Sequence, residues 1–355
     1  MWKKLVLAAS LAACSTAYAA DELHLYNWNN YLSEETAKQF EKECKCKLVQ
    51  DYYGDNEEML AKLAAGAKGY DLVVPTGFAV QTLIGKKAAQ PLDKAQLPNL
   101  KNLNPGFKGA FYDPQGNYSI PYALTTTVLG YNEDALKKAG VADKANSWAL
   151  IFDPAVLAKI KGKVTVLDSQ RELVAAALMY LGKPANSTRP EDWKAARDVI
   201  LKAKPYWAAF NNQSYIKELT LGNSWVSMGY SNDLYQAQQD AIKAKRPFKV
   251  GFGLQKEGNT MSVDNFVLLK DAPRKDLAYK FMNFMLDPKH GAGLSNEMGT
   301  GSPNQASAQF IKAEVRKNTA IFPDAAALKN LQQLKDLNAK ERRDLNRTWS
   351  EIKLK

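Results

Sequence analysis

Three acids and a set of large aromatics stand where chemistry could happen: Glu172, Asp233 and Asp264, with Trp28, Tyr31, Phe78 and Tyr230. Asp264 carries the strongest signal. It interrupts the apolar run "MSVDNFVLL", where a charge without a partner would be costly. Glu172 and Asp233 each also read as first-turn helix acids facing the helix dipole. Taken together, carboxylates and aromatics suit an ammonium ion: the acids offset its lost hydration and the rings hold its methylene chain. Cation–π attraction would add about 0.5–2 kcal/mol, and a carboxylate–ammonium pair at about 4 Å roughly 4 kcal/mol at an effective dielectric near 20. Catalytic patterns are thin. The two histidines, His24 inside the first strand and His290 after a proline, have no plausible catalytic acid or nucleophile nearby in sequence. No nucleophile elbow, metalloprotease helix, phosphate loop or dinucleotide fingerprint occurs, and Ser214-Tyr215-Ile216-Lys217 matches S-x-x-K without its companion motifs. The residues point to a binder and away from an enzyme, with no cofactor and no metal.

These residues sit at the ends of predicted strands. Leu23–Asn27 reads as a strand that runs into Trp28-Asn29-Asn30-Tyr31 and then a helix opened by Ser33-Glu34-Glu35. "YDLVVP" delivers Thr76-Gly77-Phe78, "KVTVLD" precedes the helix bearing Glu172, and "SWVSMGYS" precedes Asp233. Continuous apolar strands alternating with helices imply doubly wound α/β units, which bind ligands outside the carboxyl ends of their strands. Two long strand-like stretches stand out, Tyr118–Asn132 and "FKVGFGL" running on to "SVDNFVLLK". If they cross between two lobes, the second lobe is inserted in the first.

Length and charge bound the rest. The chain has 355 residues, more than one core usually supports, and a formal charge of +11. The lysines are spread over helical surface positions with no basic run, so nucleic acid is not expected. The start, "MWKKLVLAASLAACSTAYAAD", reads as an export signal cleaved after Ala19; Leu11-Ala12-Ala13-Cys14 also fits a lipobox that would anchor Cys14 to lipid. Cys44 and Cys46 lack redox or zinc spacing and read as structural or incidental, with a strained local disulfide as the oxidised alternative.

The whole mature sequence resembles the spermidine/putrescine-binding periplasmic proteins that feed polyamine ABC transporters, with the putrescine-binding branch nearest. "YNWNNY", "YDLVVPT", "IPYALTTTVLGYN", "NSWALIFDP", "YLGKPANST" and "FMNFMLDP" carry the resemblance. It implies a two-lobed type II periplasmic solute-binding fold, each lobe a doubly wound sheet, hinged by crossover strands. Residues 1–19 would be the signal peptide, 20–122 and 252–312 lobe 1, and 123–251 and 313–355 lobe 2. A monomer would bind a small cationic polyamine in the periplasm and dock on an inner-membrane permease. The resemblance implies that Trp28 and Tyr31 flank the ligand and that Glu172, Asp233 and Asp264 hold its amines. Thr76 stands where the family usually has serine, Asn30 where it is often acidic, and Phe78 where a hydroxyl is common. Tyr230, Ser262 and Thr300 replace aromatic positions, and Lys335 matches a lysine near the end of the site. Those departures describe a roomier cleft, so an ω-amino acid is the alternative ligand, its carboxylate met by Arg171 or Lys335.

Overall fold

A computed structural model describes residues 21–29, 31–107 and 109–354. Ten strands form one continuous hydrogen-bonded system: β1 Glu22–Trp28, β2 Lys47–Tyr53, β3 Leu72–Val73, β4 Ser119–Asn132, β5 Val164–Val166, β6 Ala209–Phe210, β7 Val226–Tyr230, β8 Val250–Gly253, β9 Asn259–Leu268 and β10 Leu331–Gln332. The order is β2-β1-β3-β9-β4-β7-β5-β6, with β10 on β9 and β8 on β4. β1 runs parallel to β2 and β3, and β5 parallel to β6 and β7, while β9 joins β3 and β4 antiparallel.

β1 shows why the first lobe is built in layers. Leu23 and Leu25 pack on one face with Phe40 and Phe281, from helices Glu34–Cys44 and Lys275–Met285. Tyr26 points the other way, into Met59, Val80 and Leu83. A parallel sheet covered on both faces must be apolar on both, and this strand is. The second lobe has its own core around Trp148, Leu173, Val226 and Leu234.

β4 belongs to both lobes. Ser119–Thr126 pair with β9, and Thr127–Asn132 pair with β7 and β8. The second long stretch does not run as one strand. β8 ends at Gly253, and Gly258, at a φ of +105°, turns the chain before β9 begins. That backbone region is open to glycine at little cost, and the polar residues Gln255, Lys256 and Glu257 before it mark the break between the two strands. β8 therefore completes the second lobe, and β9 alone crosses back. The strand expected from "YDLVVP" narrows to Leu72–Val73, because Thr76 already caps the next helix.

Cys44 and Cys46 are bonded to each other across Lys45, which adopts the left-handed conformation that ends helix Glu34–Cys44. No helix among the described residues is long and apolar enough to cross a membrane. The signal segment and Cys14 lie outside the described residues.

Candidate functional site

Asp264 sits mid-strand on β9, 4% exposed, with Thr76 bridged to it from the end of β3. Its two carboxylate oxygens each accept one hydroxyl: Tyr31 donates at 2.7 Å and Thr76 at 2.7 Å. Both donors are braced. The Asn56 side chain donates to the Thr76 hydroxyl at 3.0 Å and accepts the Thr76 backbone N–H at 3.1 Å. Tyr122 donates its hydroxyl to the Tyr31 carbonyl at 2.8 Å. Burial pushes the Asp264 carboxyl up to about 6, against these hydrogen bonds, and no lysine or arginine among the described residues acts on it.

Asp233 faces the same region from the second lobe, in the first turn of helix Ser231–Lys243. It accepts a hydrogen bond from the Tyr215 hydroxyl and another from the Asn232 amide at 2.9 Å. Burial raises it to about 6 as well. Tyr215 reaches it by lying across Gly229 of β7: a Cβ there would meet the ring at 2.3 Å, so only glycine fits. Glu172, 7% exposed, lies in the first turn of helix Gln170–Tyr180 and accepts the Thr260 hydroxyl at 2.6 Å. Burial raises its carboxyl, opposed by the hydroxyls of Thr260 and Thr127 and by the Arg171 charge.

The three acids converge. The Tyr230 phenol, held well above its ordinary range first by burial, also feels Glu172, Asp233, Asp264 and, least, Glu57. Tyr31, in the first lobe, is raised by burial and Asp264 and also senses Asp233 from the second. Trp28 closes the first-lobe side: its indole N–H donates to the Val74 carbonyl at 2.8 Å, and its ring packs 4.6 Å from Tyr53. Ser262 shares the Asp264 face of β9, half-buried opposite Thr125.

Other expected positions fall differently. Phe78 lies at the seam, with the Arg171 guanidinium 5.7 Å from its ring centroid. Lys335 is exposed, and its recorded contacts are backbone ones: its N–H donates to Asn186 at 2.8 Å and its carbonyl accepts Arg171 at 2.6 Å. Thr300 is 1% exposed, and its buried hydroxyl has no partner among the described residues. Asn30 lies outside the described residues. Sequence reasoning did not single out Thr260, Tyr215, Asn56 or Tyr122. A signal for Thr260 was present, since Thr260, Ser262 and Asp264 alternate with Met261 and Val263 along β9. Tyr215 gave none, because its partner is set by a close approach to Gly229 across the sheet.

The site offers acceptors, two of which (Asp233 and Asp264) have no cation acting on them among the described residues, walled by phenols and an indole. That suits binding of a positively charged ligand. No group of metal-binding residues occurs among the described residues. A cavity of about 310 Å³ bounded by Leu100, Leu103, Tyr112 and Ile120 lies in the first lobe and includes none of the three acids.

Residues 35–323 match the family described as bacterial extracellular solute-binding proteins. Over 356 aligned residues, covering 100% of both chains, the sequence is 53% identical to a putrescine/cadaverine-binding protein of Pseudomonas aeruginosa. It is 37% identical to the putrescine-binding periplasmic protein PotF of Escherichia coli, over 99% of this chain and 97% of that one. Among solved structures it resembles the TpPotD lipoprotein of Treponema pallidum, with a TM-score of 0.83 and 27% identity over 94% of this chain and 100% of that one.

Proposed function

The chain belongs to the family of bacterial extracellular solute-binding proteins, whose members are transport components and not enzymes, and from that premise we propose that it captures a small polyamine, putrescine foremost. It would act in the periplasm, as the name of the Escherichia coli relative suggests, and as a monomer would deliver the amine to a membrane permease. One observation carries the reading: three carboxylates from both lobes converge, and Asp233 and Asp264 are raised to about 6 with no cation acting on them. A buried charge left unpaired is costly, so the arrangement makes sense only if a cation completes it.

Asp264 is assigned the ammonium on the first-lobe side and Asp233, with Glu172, the one on the second. Trp28, Tyr31 and Tyr230 would line the methylene chain, Ser262 would edge it, and Thr300 would stand behind. Separate cores are in keeping with two lobes, but not with the expected bounds of 20–122 with 252–312 and 123–251 with 313–355 at every point: Ala123 packs in the first-lobe core, and Phe252, Ala292 and Ile311 in the second. The test is a thermal-shift screen with putrescine, cadaverine, spermidine, GABA, 5-aminovalerate and basic amino acids. A ligand at about 100 times its dissociation constant stabilises by about 2.7 kcal/mol. Stabilisation by a diamine and not by the amino acids is expected. Response to 5-aminovalerate alone would replace the diamine by an ω-amino acid, with Arg171 meeting the carboxylate.

A further inference from the structure

Helix Gly77–Gly85 is fixed in the first lobe by Ala79, Val80 and Leu83, and it begins at Thr76, whose hydroxyl rests on Asp264. Phe78 and Thr82 are four residues apart and so share one face of that helix. Both reach across the seam. The Phe78 ring centroid lies 5.7 Å from the Arg171 guanidinium, and the Thr82 hydroxyl lies 3.3 Å from a carboxylate oxygen of Asp336. The same hydroxyl is also 3.3 Å from the Phe78 carbonyl. It has one hydrogen to give, so it donates across the seam or back to its own helix. Its acceptor is fixed in advance. The stretch ending at Asp336 is bound along the second lobe: Gln332 accepts the Ala185 N–H at 3.0 Å, and the Gln333 carbonyl accepts the Asn186 amide at 2.9 Å. The Lys335 N–H donates to Asn186 at 2.8 Å, and its carbonyl accepts Arg171 at 2.6 Å. Arg342 then holds the Asp336 oxygen that faces Thr82, at 3.0 Å, and the Leu337 N–H holds the other at 2.9 Å.

Resting on the amine reading above, we propose that Thr82 and Asp336 form a closure latch: two positioning residues, one from each lobe, that bond to each other only when the lobes are together. When the lobes part, Thr82 returns its hydrogen to the Phe78 carbonyl and Asp336 keeps Arg342, so neither group is left without a partner. That makes the latch easy to release, as a carrier that must give up its ligand requires. Six residues of helix separate Thr82 from Thr76, about 9 Å along the axis, so the latch stands clear of the carboxylates that hold the amine. It raises the fraction of protein in which both lobes face the ligand. Apparent affinity scales with that fraction, so every amine gains by the same factor.

The test is calorimetric titration of putrescine and cadaverine into the wild-type protein and the Thr82→Val, Thr82→Ser, Asp336→Ala and Thr82→Val/Asp336→Ala variants, each checked by a thermal melt. Valine keeps the shape and the branched β-carbon of threonine but cannot donate; serine keeps the donor. Thr82→Val is expected to weaken both amines by the same factor, about three- to tenfold, the worth of one hydrogen bond to a charged group at a half-exposed position. Thr82→Ser should stay within about twofold of wild type. Once Asp336→Ala has removed the acceptor, Thr82→Val should cost nothing more. Unequal losses for the two amines would put Thr82 against the ligand and overturn the latch. So would wild-type affinity in Thr82→Val, an equal loss in Thr82→Ser, or a full second loss in the double variant. If the wild type binds neither amine, the amine reading fails and small-angle scattering of the unliganded proteins decides the latch separately. A larger radius of gyration in Thr82→Val, but not in Thr82→Ser, upholds it; equal radii in all three overturn it.

Discussion

Replacing Asp264 by asparagine separates a ligand anchor from a structural ion pair. In the empty folded protein Asp264 holds its proton up to about 6, against 3.8 for an ordinary aspartate. That step corresponds to about 3 kcal/mol of penalty on the ionised form. Between those two values the native state binds more protons than the unfolded chain. Apo stability therefore falls as pH rises from about 4 to about 6 and stays low above that. Asp264→Asn removes the charge, and the penalty it relieves is already net of the hydrogen bonds from Tyr31 and Thr76 that favour the ionised form. A gain of about 2–3 kcal/mol is expected in apo stability near pH 7.5. Near pH 4, where wild-type Asp264 is itself neutral, the gain should vanish. Urea unfolding of both proteins at the two pH values measures it. Calorimetry should show amine affinity weakened by about 2–5 kcal/mol, the range for removing one partner of a buried charge pair. A less stable apo variant at pH 7.5, a gain that persists at pH 4, or undiminished affinity would each refute the reasoning.

Trp28→Ala should cost the apo protein about 1–3 kcal/mol, less than a fully buried tryptophan, because the Val74 carbonyl keeps its bond from the Tyr53 hydroxyl. Ligand affinity should fall about tenfold or more; a melt and a titration of the same variant check both, and intact affinity would remove Trp28 from the site. Reduction of the Cys44–Cys46 bond should lower stability by no more than about 2 kcal/mol, since it closes a very short loop, and leave amine affinity unchanged. Melts with and without reductant read this directly. Saturating amine should shrink the radius of gyration in small-angle scattering if the ligand draws the two lobes together, and a constant radius for a bound ligand would argue against closure.

Asp264 stood out in the sequence because it puts a charge in an apolar strand. Glu172 and Asp233, which read equally well as first-turn helix acids, stood out only because they follow strands at carboxyl ends, where α/β sheets hold ligands. Ser33 was legible as a cap, and it accepts the Thr36 N–H as expected. What escaped depends on non-local pairing. Tyr215 lies in a helix with an ordinary pattern, and its bond to Asp233 follows from the bare Cα of Gly229 on another strand. The split between β8 and β9 falls at the polar stretch Gln255-Lys256-Glu257-Gly258, a turn signal that the reading of one long strand passed over. At Lys335 the sequence pointed to a side-chain charge, but the recorded contact of that position with the site region is its carbonyl. Residue type says little about a backbone contact.

The placement of β9 governs how this chain comes to be folded. Leu72 of β3 pairs with Leu268, and Ser119 of β4 pairs with Val267, beyond the whole of the second lobe. Until β9 has been synthesised, β3 and the first half of β4 are open edges with no strand between them. β5 to β8, by contrast, lie in one contiguous stretch and need only the second half of β4. Non-local pairing waits on loop closure and is slow, so the inserted lobe should organise before the β3–β9–β4 seam of the first lobe closes. Pulse-labelling hydrogen exchange during refolding should find Val226–Tyr230 protected before Asn259–Leu268. The outer edge of β3 thus stays open while most of the chain is still being made, although β1 can already pair with β2 and β3, and that edge is exposed to aggregation and within reach of any chaperone that holds extended chains.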